Sequence, residues 1–233
     1  MPEHFAGRPE IDSGKCIARC DKCVQACPTQ AIQWTPQTRK LSLDTGRCLF
    51  CRACERACDS GAVRFSREFR LASSSRPALV VTDDSPLPPV ELDDTIHHLL
   101  GRSLRLRQVS AGGCNACEAD INVLNTVGWD LGRFGIQLVA SPRHADGLLI
   151  TGPVTQNMRV ALEKTYQAVP SPKIVIAVGA CAIEGGPYVD HPEVHNGAAS
   201  VVPVDLFVPG CPPHPLTILH ALLTAVRAMP LQR

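Results

Sequence analysis

From Leu104 onward the chain alternates short apolar runs with stretches of helical period. "LRLRQVS" reads as a strand, and "CEADINVLNTV" has a helical period that puts Ile121 and Leu124 on one face. "IQLVAS" and "GLLITG" are brief apolar runs bounded by turn residues, and "TQNMRVALEKTYQAV" is an amphipathic helix. "KIVIAVGAC" is an Ile- and Val-rich buried strand that ends on Gly179. "VVPVDLFVPG" is a further strand and "HPLTILHALLTAVRAM" a closing helix. Strands alternating with helices predict an α/β unit over 104–230, a parallel, doubly wound, flavodoxin-like sheet.

The first part of the chain has a different rhythm. Two halves each run loop, short helix, strand, with the strands at "AIQW" and "AVRF". They predict a small pseudo-twofold α+β unit over 10–66, with Trp34 and Phe65 as core residues. The intervening stretch, 67–103, holds "SSSRP" and "DDSPLPPVELDD", whose Ser, Pro and Asp suit an extended linker. A short helix is expected from Asp94, as its N-cap, and His97 and His98 on it read as solvated or packing residues.

Composition narrows the class. Hydrophobic residues make up 45%, enough for a real core, and 23 basic against 22 acidic residues leave a net charge of +1. That balance argues against a nucleic-acid partner, which asks for a basic excess. No apolar run approaches the length of a membrane span, and the start lacks a basic segment followed by an apolar one. The expected location is therefore the cytoplasm, where reducing conditions disfavour disulfides. The 12 cysteines then read first as metal ligands.

Eight of them form an internal repeat. "CVQACPTQAIQW" (23–34) aligns without gaps on "CERACDSGAVRF" (54–65), and Cys20 falls on Cys51. Only Cys16 is displaced against Cys48, by one extra residue in the first loop. Three thiolates two residues apart wrap one face of an iron–sulfur cube, and a fourth, three residues on, ligates the neighbouring cube. This assigns one [4Fe–4S] cluster to Cys16, Cys20, Cys23 and Cys58, and a second to Cys48, Cys51, Cys54 and Cys27. Pro28 follows Cys27 as the ferredoxin pattern asks, whereas Asp59 stands at the equivalent place after Cys58. Two four-cysteine zinc sites are the rival reading; zinc ligands come as separated pairs rather than runs of four. So small a core relies on its metal centres as staples.

The other four cysteines follow strands. Cys114 and Cys117 come after the first strand of the sheet, Cys181 after the central one and Cys211 after the last. Loops at the carboxyl ends of the strands are where open α/β sheets bind ligands, so "GGCNAC", "GAC" and "PGCPP" can converge on a third [4Fe–4S] cluster. A thioredoxin-like redox pair at Cys114 and Cys117 would leave Cys181 and Cys211 unexplained.

"GGCNACEADINVLN", "SPRHADGLLITGPVTQNM", "KIVIAVGACAIEGG" and "VPVDLFVPGCPP" resemble the small subunit of group 4 [NiFe] hydrogenases, which is similar to the terminal-cluster subunit of respiratory complex I. The resemblance covers 100–230, and 10–66 separately resemble a two-cluster bacterial ferredoxin. Two residues separate Cys114 from Cys117, the hydrogenase-branch spacing; adjacent cysteines mark the complex I branch.

The resemblance implies an oxidoreductase subunit that relays electrons, with Cys114, Cys117, Cys181 and Cys211 as ligands of the cluster nearest the catalytic large subunit. It implies three partners: that large subunit, which would carry the nickel; membrane subunits of the same complex; and an electron donor or acceptor protein. It implies a cytoplasmic position, peripheral to the inner face of the cell membrane. For Glu118 it implies a part in proton transfer near the subunit interface, against the plain alternative of a favourable charge at a helix N-terminus. No cofactor beyond the clusters is expected. Arg143 and His144 read as surface contacts or electrostatic tuners of the third cluster, and His191, His195 and His214 as structural. The alternatives are a complex I-like subunit feeding quinone, and a stand-alone soluble electron carrier or zinc scaffold.

Overall fold

A computed structural model describes residues 2, 4–17, 20–91 and 103–227. The helix expected from Asp94, with His97 and His98, lies outside the described residues.

The first unit is β–α–β twice. Strand β1 (Pro9–Ile11), helix α1 (Lys22–Gln25) and strand β2 (Ile32–Thr35) form one half. Strand β3 (Lys40–Asp44), helix α2 (Ala53–Ala57) and strand β4 (Val63–Phe65) form the other. β1 pairs antiparallel with β4, and β2 with β3, so each half completes the sheet of the other. Ile11, Ile32, Leu41, Leu43 and Val63 are buried together with Cys23, Cys48 and Cys54, and Trp34 and Phe65 pack against that core. The thiols are thus built into the core of the unit, which contains few other large side chains.

β1 and β3 are absent from the expected elements. In β3, "KLSLD", Leu41 and Leu43 point inward and alternate with less buried neighbours, the two-residue period of a half-buried strand. Five residues with two leucines give too short a pattern to stand out from loop.

The stretch expected as an open linker is partly folded. A 3₁₀ turn (Pro77–Leu79) leads into strand β5 (Val80–Val81), which pairs antiparallel with β3. Ser73 is fully buried and exchanges both backbone hydrogen bonds with Phe207 of the second unit, at 3.0 and 2.8 Å. Polar composition suggested solvent exposure there; pairing with two sheet edges satisfies the backbone instead.

The second unit is the predicted doubly wound sheet. Its strands are β6 (Leu104–Ser110), β7 (Ile136–Leu138), β8 (Gly147–Thr151), β9 (Ile174–Val178) and β10 (Leu206–Val208). All neighbours are parallel, in the order β10-β9-β8-β6-β7. Counted within the unit this is 2-1-3-4-5, the flavodoxin-like order, with its switch point between β6 and β8. "GLLIT" and "IVIAV" are buried at every position, as parallel strands covered on both faces must be.

Helices α3 (Ala116–Val123) and α6 (Pro215–Arg227) cover one face, where Ile121, Leu124, Ile218 and Leu222 meet Leu106, Leu149 and Ile176. Helices α4 (Gln156–Ala168) and α5 (Ala180–Glu184) cover the other, where Leu162 and Ile183 meet Leu148, Ile150 and Val175. Each such fully buried Leu or Ile contributes roughly 1.5–3 kcal/mol by leaving water. The sheet is therefore a rigid base for the loops at its carboxyl edge.

Candidate metal centres

The repeat places its thiols in two crossed groups. Cys27, from the first half, lines one small apolar cavity with Cys48, Cys51 and Cys54 from the second. In the other group Cys58, from the second half, lies near enough to Cys16 and Cys23 for its charge to raise both thiols. Burial, then Cys58 and Cys16, push the Cys23 thiol up to about 11. Burial, then Cys27, push Cys54 up to about 12. Buried Cys48 is raised further by the same causes, burial first.

The two halves also hold their crossing cysteines alike. The backbone N–H of Ala31 donates to Cys27 Sγ at 3.2 Å, and that of Ala62 to Cys58 Sγ at 3.2 Å. The Thr29 hydroxyl lies 3.9 Å from Cys27 Sγ, and the Ser60 hydroxyl 3.6 Å from Cys58 Sγ. Burial alone would raise Cys58, but the Ser60 hydroxyl and nearby backbone N–H groups hold it below the ordinary thiol range. The backbone donors and the Ser60 hydroxyl favour the thiolate, the form that ligates metal, whereas the Thr29 hydroxyl donates to the Arg47 carbonyl at 2.8 Å. Thr29 and Ser60 were not singled out from sequence; their signal is a hydroxyl two residues after each crossing cysteine. Asp59, in the place of Pro28, forms an exposed ion pair with Lys22 at 2.5 Å and leaves this arrangement intact.

The third group sits at the carboxyl edge of the parallel sheet. Asn115, in the left-handed region at φ 71°, turns the chain after β6 into α3, so Cys114 lies in the loop and Cys117 in the first turn. Cys181 lies in the first turn of α5. Cys211 follows β10, and the Ala180 N–H donates to the Gly210 carbonyl at 2.8 Å, stitching those two loops together. Gly179 has φ 91° and ψ 156°, a conformation essentially restricted to glycine, and a Cβ there would sit 2.5 Å from Cys117 Sγ. Burial, then Cys211, Cys114 and Glu118, push Cys181 up to about 12. Burial, then Cys181 and Glu118, raise Cys117 further still.

Thiols that raise one another in this way coexist as thiolates only around a cationic core. Four thiolates on one tetrahedral zinc, at about 2.3 Å from it, would stand about 4 Å apart. Among the described residues no group of three or more His, Cys, Asp or Glu side chains is close enough to hold a single metal ion. Thiols gathered in fours are the donor set that a [4Fe–4S] cluster takes.

The groups are also in sequence. Cys23 is near enough to Cys54 to contribute, after burial, Cys27 and Cys51, to raising it. Cys51 is near enough to Cys211 to contribute to raising it, after burial and Cys114. Leu49 and Phe50 line a cavity of about 280 Å³ with Cys211 and the prolines that follow it.

Glu118 is 6% exposed, and its Oε1 accepts hydrogen bonds from Ser110 and Thr151, both at 2.6 Å. It therefore lies where β6 and β8 end, beneath the third group. Arg143 and His144 are exposed on a 3₁₀ turn that enters β8, at the opposite edge of the sheet. That placement removes them as tuners of the third group. His191, His195 and His214 make structural contacts: His191 Nδ1 accepts from the Glu193 N–H, His195 pairs with Gln156, and His214 stacks edge-on to Phe5 and Trp129.

Comparison with known proteins gives two matches to families. Residues 114–225 match the NADH ubiquinone oxidoreductase, 20 Kd subunit family, and residues 15–62 match a 4Fe-4S dicluster domain. The chain is 44% identical over 130 residues to the probable membrane-bound hydrogenase subunit mbhJ of Pyrococcus furiosus, covering 56% of this chain and 78% of that one. It is 41% identical over 145 residues to formate hydrogenlyase subunit 7 of Escherichia coli, covering 59% and 57%. It is 38% identical over 135 residues to an NADH-quinone oxidoreductase subunit of Clostridium beijerinckii, covering 58% and 78%.

Proposed function

Because this chain belongs to the NADH ubiquinone oxidoreductase 20 kDa subunit family and carries a 4Fe-4S dicluster domain before that region, we propose that it is the electron-relay subunit of a membrane-associated, group 4 [NiFe]-hydrogenase-type complex. It is an oxidoreductase subunit of the hydrogenase and complex I type. Cys16, Cys20, Cys23 and Cys58 would hold one [4Fe–4S] cluster, and Cys27, Cys48, Cys51 and Cys54 a second. Cys114, Cys117, Cys181 and Cys211 would hold a third. A [4Fe–4S] cluster supplies a one-electron couple whose potential follows hydrogen bonds to sulfur, burial and nearby charge.

The chain's own residues provide those levers unequally. Ala31, Ala62 and Ser60 direct donors at the crossing sulfurs of the first unit, which stabilises added negative charge. The third group has the carboxylate of Glu118 beneath it instead. The proposed division is a two-cluster unit over 10–66, a connection over 67–103 and a one-cluster unit over 104–230. The nearness of Cys51 to Cys211, and of Leu49 and Phe50 to the Cys211 loop, supports an order in which Cys16, Cys20, Cys23 and Cys58 form the outer end.

One observation carries the hydrogenase reading: Cys114 and Cys117 are separated by two residues, and the nearness of Cys117 to Cys181, Cys211 and Cys114 supports a shared site. The catalytic large subunit, membrane subunits and a donor or acceptor protein are the proposed partners. Among the described residues no helix is long and apolar enough to cross a membrane, so membrane association would come through those partners. Similarity to NADH-quinone oxidoreductase chains keeps a quinone-reducing complex as the second reading. The test is metal analysis of the complex isolated anaerobically through a tag on this chain. Nickel together with iron supports the hydrogenase reading; iron without nickel, with quinone reduction, replaces it.

Glu118 is the proposed proton-transfer residue at the third group. Glu118→Gln keeps its shape and its bonds to Ser110 and Thr151. The expected result is unchanged iron with hydrogen-linked turnover reduced by at least about tenfold, the low end of general acid–base contributions. Unchanged turnover assigns Glu118 to structure alone.

A further inference from the structure

One side chain bridges the two units at a point where both cysteine sites are close by. The Arg76 guanidinium forks onto Asp44, with Nη1 donating to Oδ1 at 2.9 Å and Nη2 to Oδ2 at 2.6 Å. The same guanidinium donates to Glu184 Oε2 from Nε at 3.1 Å and from Nη2 at 3.0 Å. Asp44 ends β3, four residues before Cys48, and Glu184 ends α5, three residues after Cys181. Between them Gly46 is pressed so closely that a Cβ would lie 2.9 Å from Arg76 Cζ and 3.0 Å from Ile183 Cγ2. The chain leading to the second cysteine group therefore packs directly on the helix that presents Cys181.

We propose that Arg76 is a positioning residue that fixes the first unit, and with it the Cys27–Cys48–Cys51–Cys54 group, at its working distance from the Cys114–Cys117–Cys181–Cys211 group. This rests on the reading of both groups as cluster sites. All three side chains are mostly buried, at 26% exposure for Arg76, 19% for Asp44 and 34% for Glu184. Without the guanidinium two carboxylates face each other across the contact, with Arg47 4.0 Å from Glu184. Like charges so placed push the units apart. A lysine cannot replace the fork, because an ammonium is a point donor and cannot span both carboxylates in plane. The backbone exchange between Ser73 and Phe207 remains in any Arg76 variant. It keeps the connection attached to the second unit whichever residue stands at 76.

The test uses the full chain, reconstituted and reduced, with electron paramagnetic resonance as readout. Magnetic coupling between reduced clusters falls with the inverse cube of their separation, so it reports position independently of turnover. The wild type is expected to show coupling between the third cluster and its neighbour. Arg76→Ala is expected to keep its iron and all three cluster signals but to lose that coupling, and Arg76→Lys to fail to restore it. Full coupling in Arg76→Ala, or its restoration by lysine, overturns the proposal. Should Arg76→Ala not accumulate, Glu184→Gln weakens only the second half of the clamp and is expected to reduce the coupling. A wild type with well under about 12 iron atoms defeats the underlying cluster reading, a failure visible before any variant is made.

Discussion

Cys181→Ser lowers iron from about 12 to about 8 atoms per chain while leaving the signals of the first unit in place. Several observations set this expectation. Cys181 sits in the first turn of a short helix whose entry is tied to Gly210 by a backbone hydrogen bond, so a serine of nearly the same size leaves the loops where they are. The serine hydroxyl stays neutral where the metal needs an anion. Of the remaining thiols, Cys117 and Cys211 are raised by burial and by neighbouring thiols, and three thiolates cannot match the charge of the full set. The first unit has its own core of Ile11, Ile32, Leu41, Leu43 and Val63 and does not depend on the second for its thiols. Iron analysis with electron paramagnetic resonance of the reduced protein measures both halves of the prediction. Loss of all three signals would mean that the units do not form their centres independently.

Gly179→Ala destroys the same centre without touching a ligand. The added Cβ would lie 2.5 Å from Cys117 Sγ, a distance that real contacts do not reach, so that sulfur must move. The backbone at φ 91° and ψ 156° adds strain of about 1–3 kcal/mol for any residue with a Cβ. The chain cannot relax easily, because β9 is buried at every position and Gly179 N–H is bonded to the Val208 carbonyl. The expected result is loss of about 4 iron atoms and a lower unfolding temperature. Gly128→Ala is the control, since nothing lies within 4 Å of a Cβ there, and it is expected to keep all its iron. Retained iron in Gly179→Ala would mean that Cys117 is not a ligand of this centre.

The candidate sites stood out in the sequence far more than their surroundings. Metal ligation demands particular residues at fixed spacings, so "CVQACPTQAIQW" and "CERACDSGAVRF" declare themselves as a repeat, and the crossing of Cys27 and Cys58 follows from it. The parallel sheet was legible for a related reason. Strands covered on both faces, such as "IVIAV", are continuous apolar runs bounded by glycine and turn residues. β1, β3 and β5 were not legible because they are two to five residues long. They gain their stability from pairing with distant chain rather than from a local pattern. Arg76, Asp44 and Glu184 carry no local signature either. Their meaning lies in a contact between residues 32 and 108 positions apart, which no spacing along the chain reveals. Glu118 was noticed for its place beside Cys117, but its burial and its bonds to Ser110 and Thr151 depend on how β6 and β8 pair.

The central claim is that one chain holds three [4Fe–4S] clusters in series. Iron and acid-labile sulfide, counted per chain in protein purified without air, test it most directly. The account predicts about 12 of each, in a preparation whose reduced spectrum shows interacting centres. About 8 of each would remove the third centre and leave a dicluster unit joined to an unmetallated sheet. Zinc in place of iron, at one ion per four cysteines, would contradict the account as a whole.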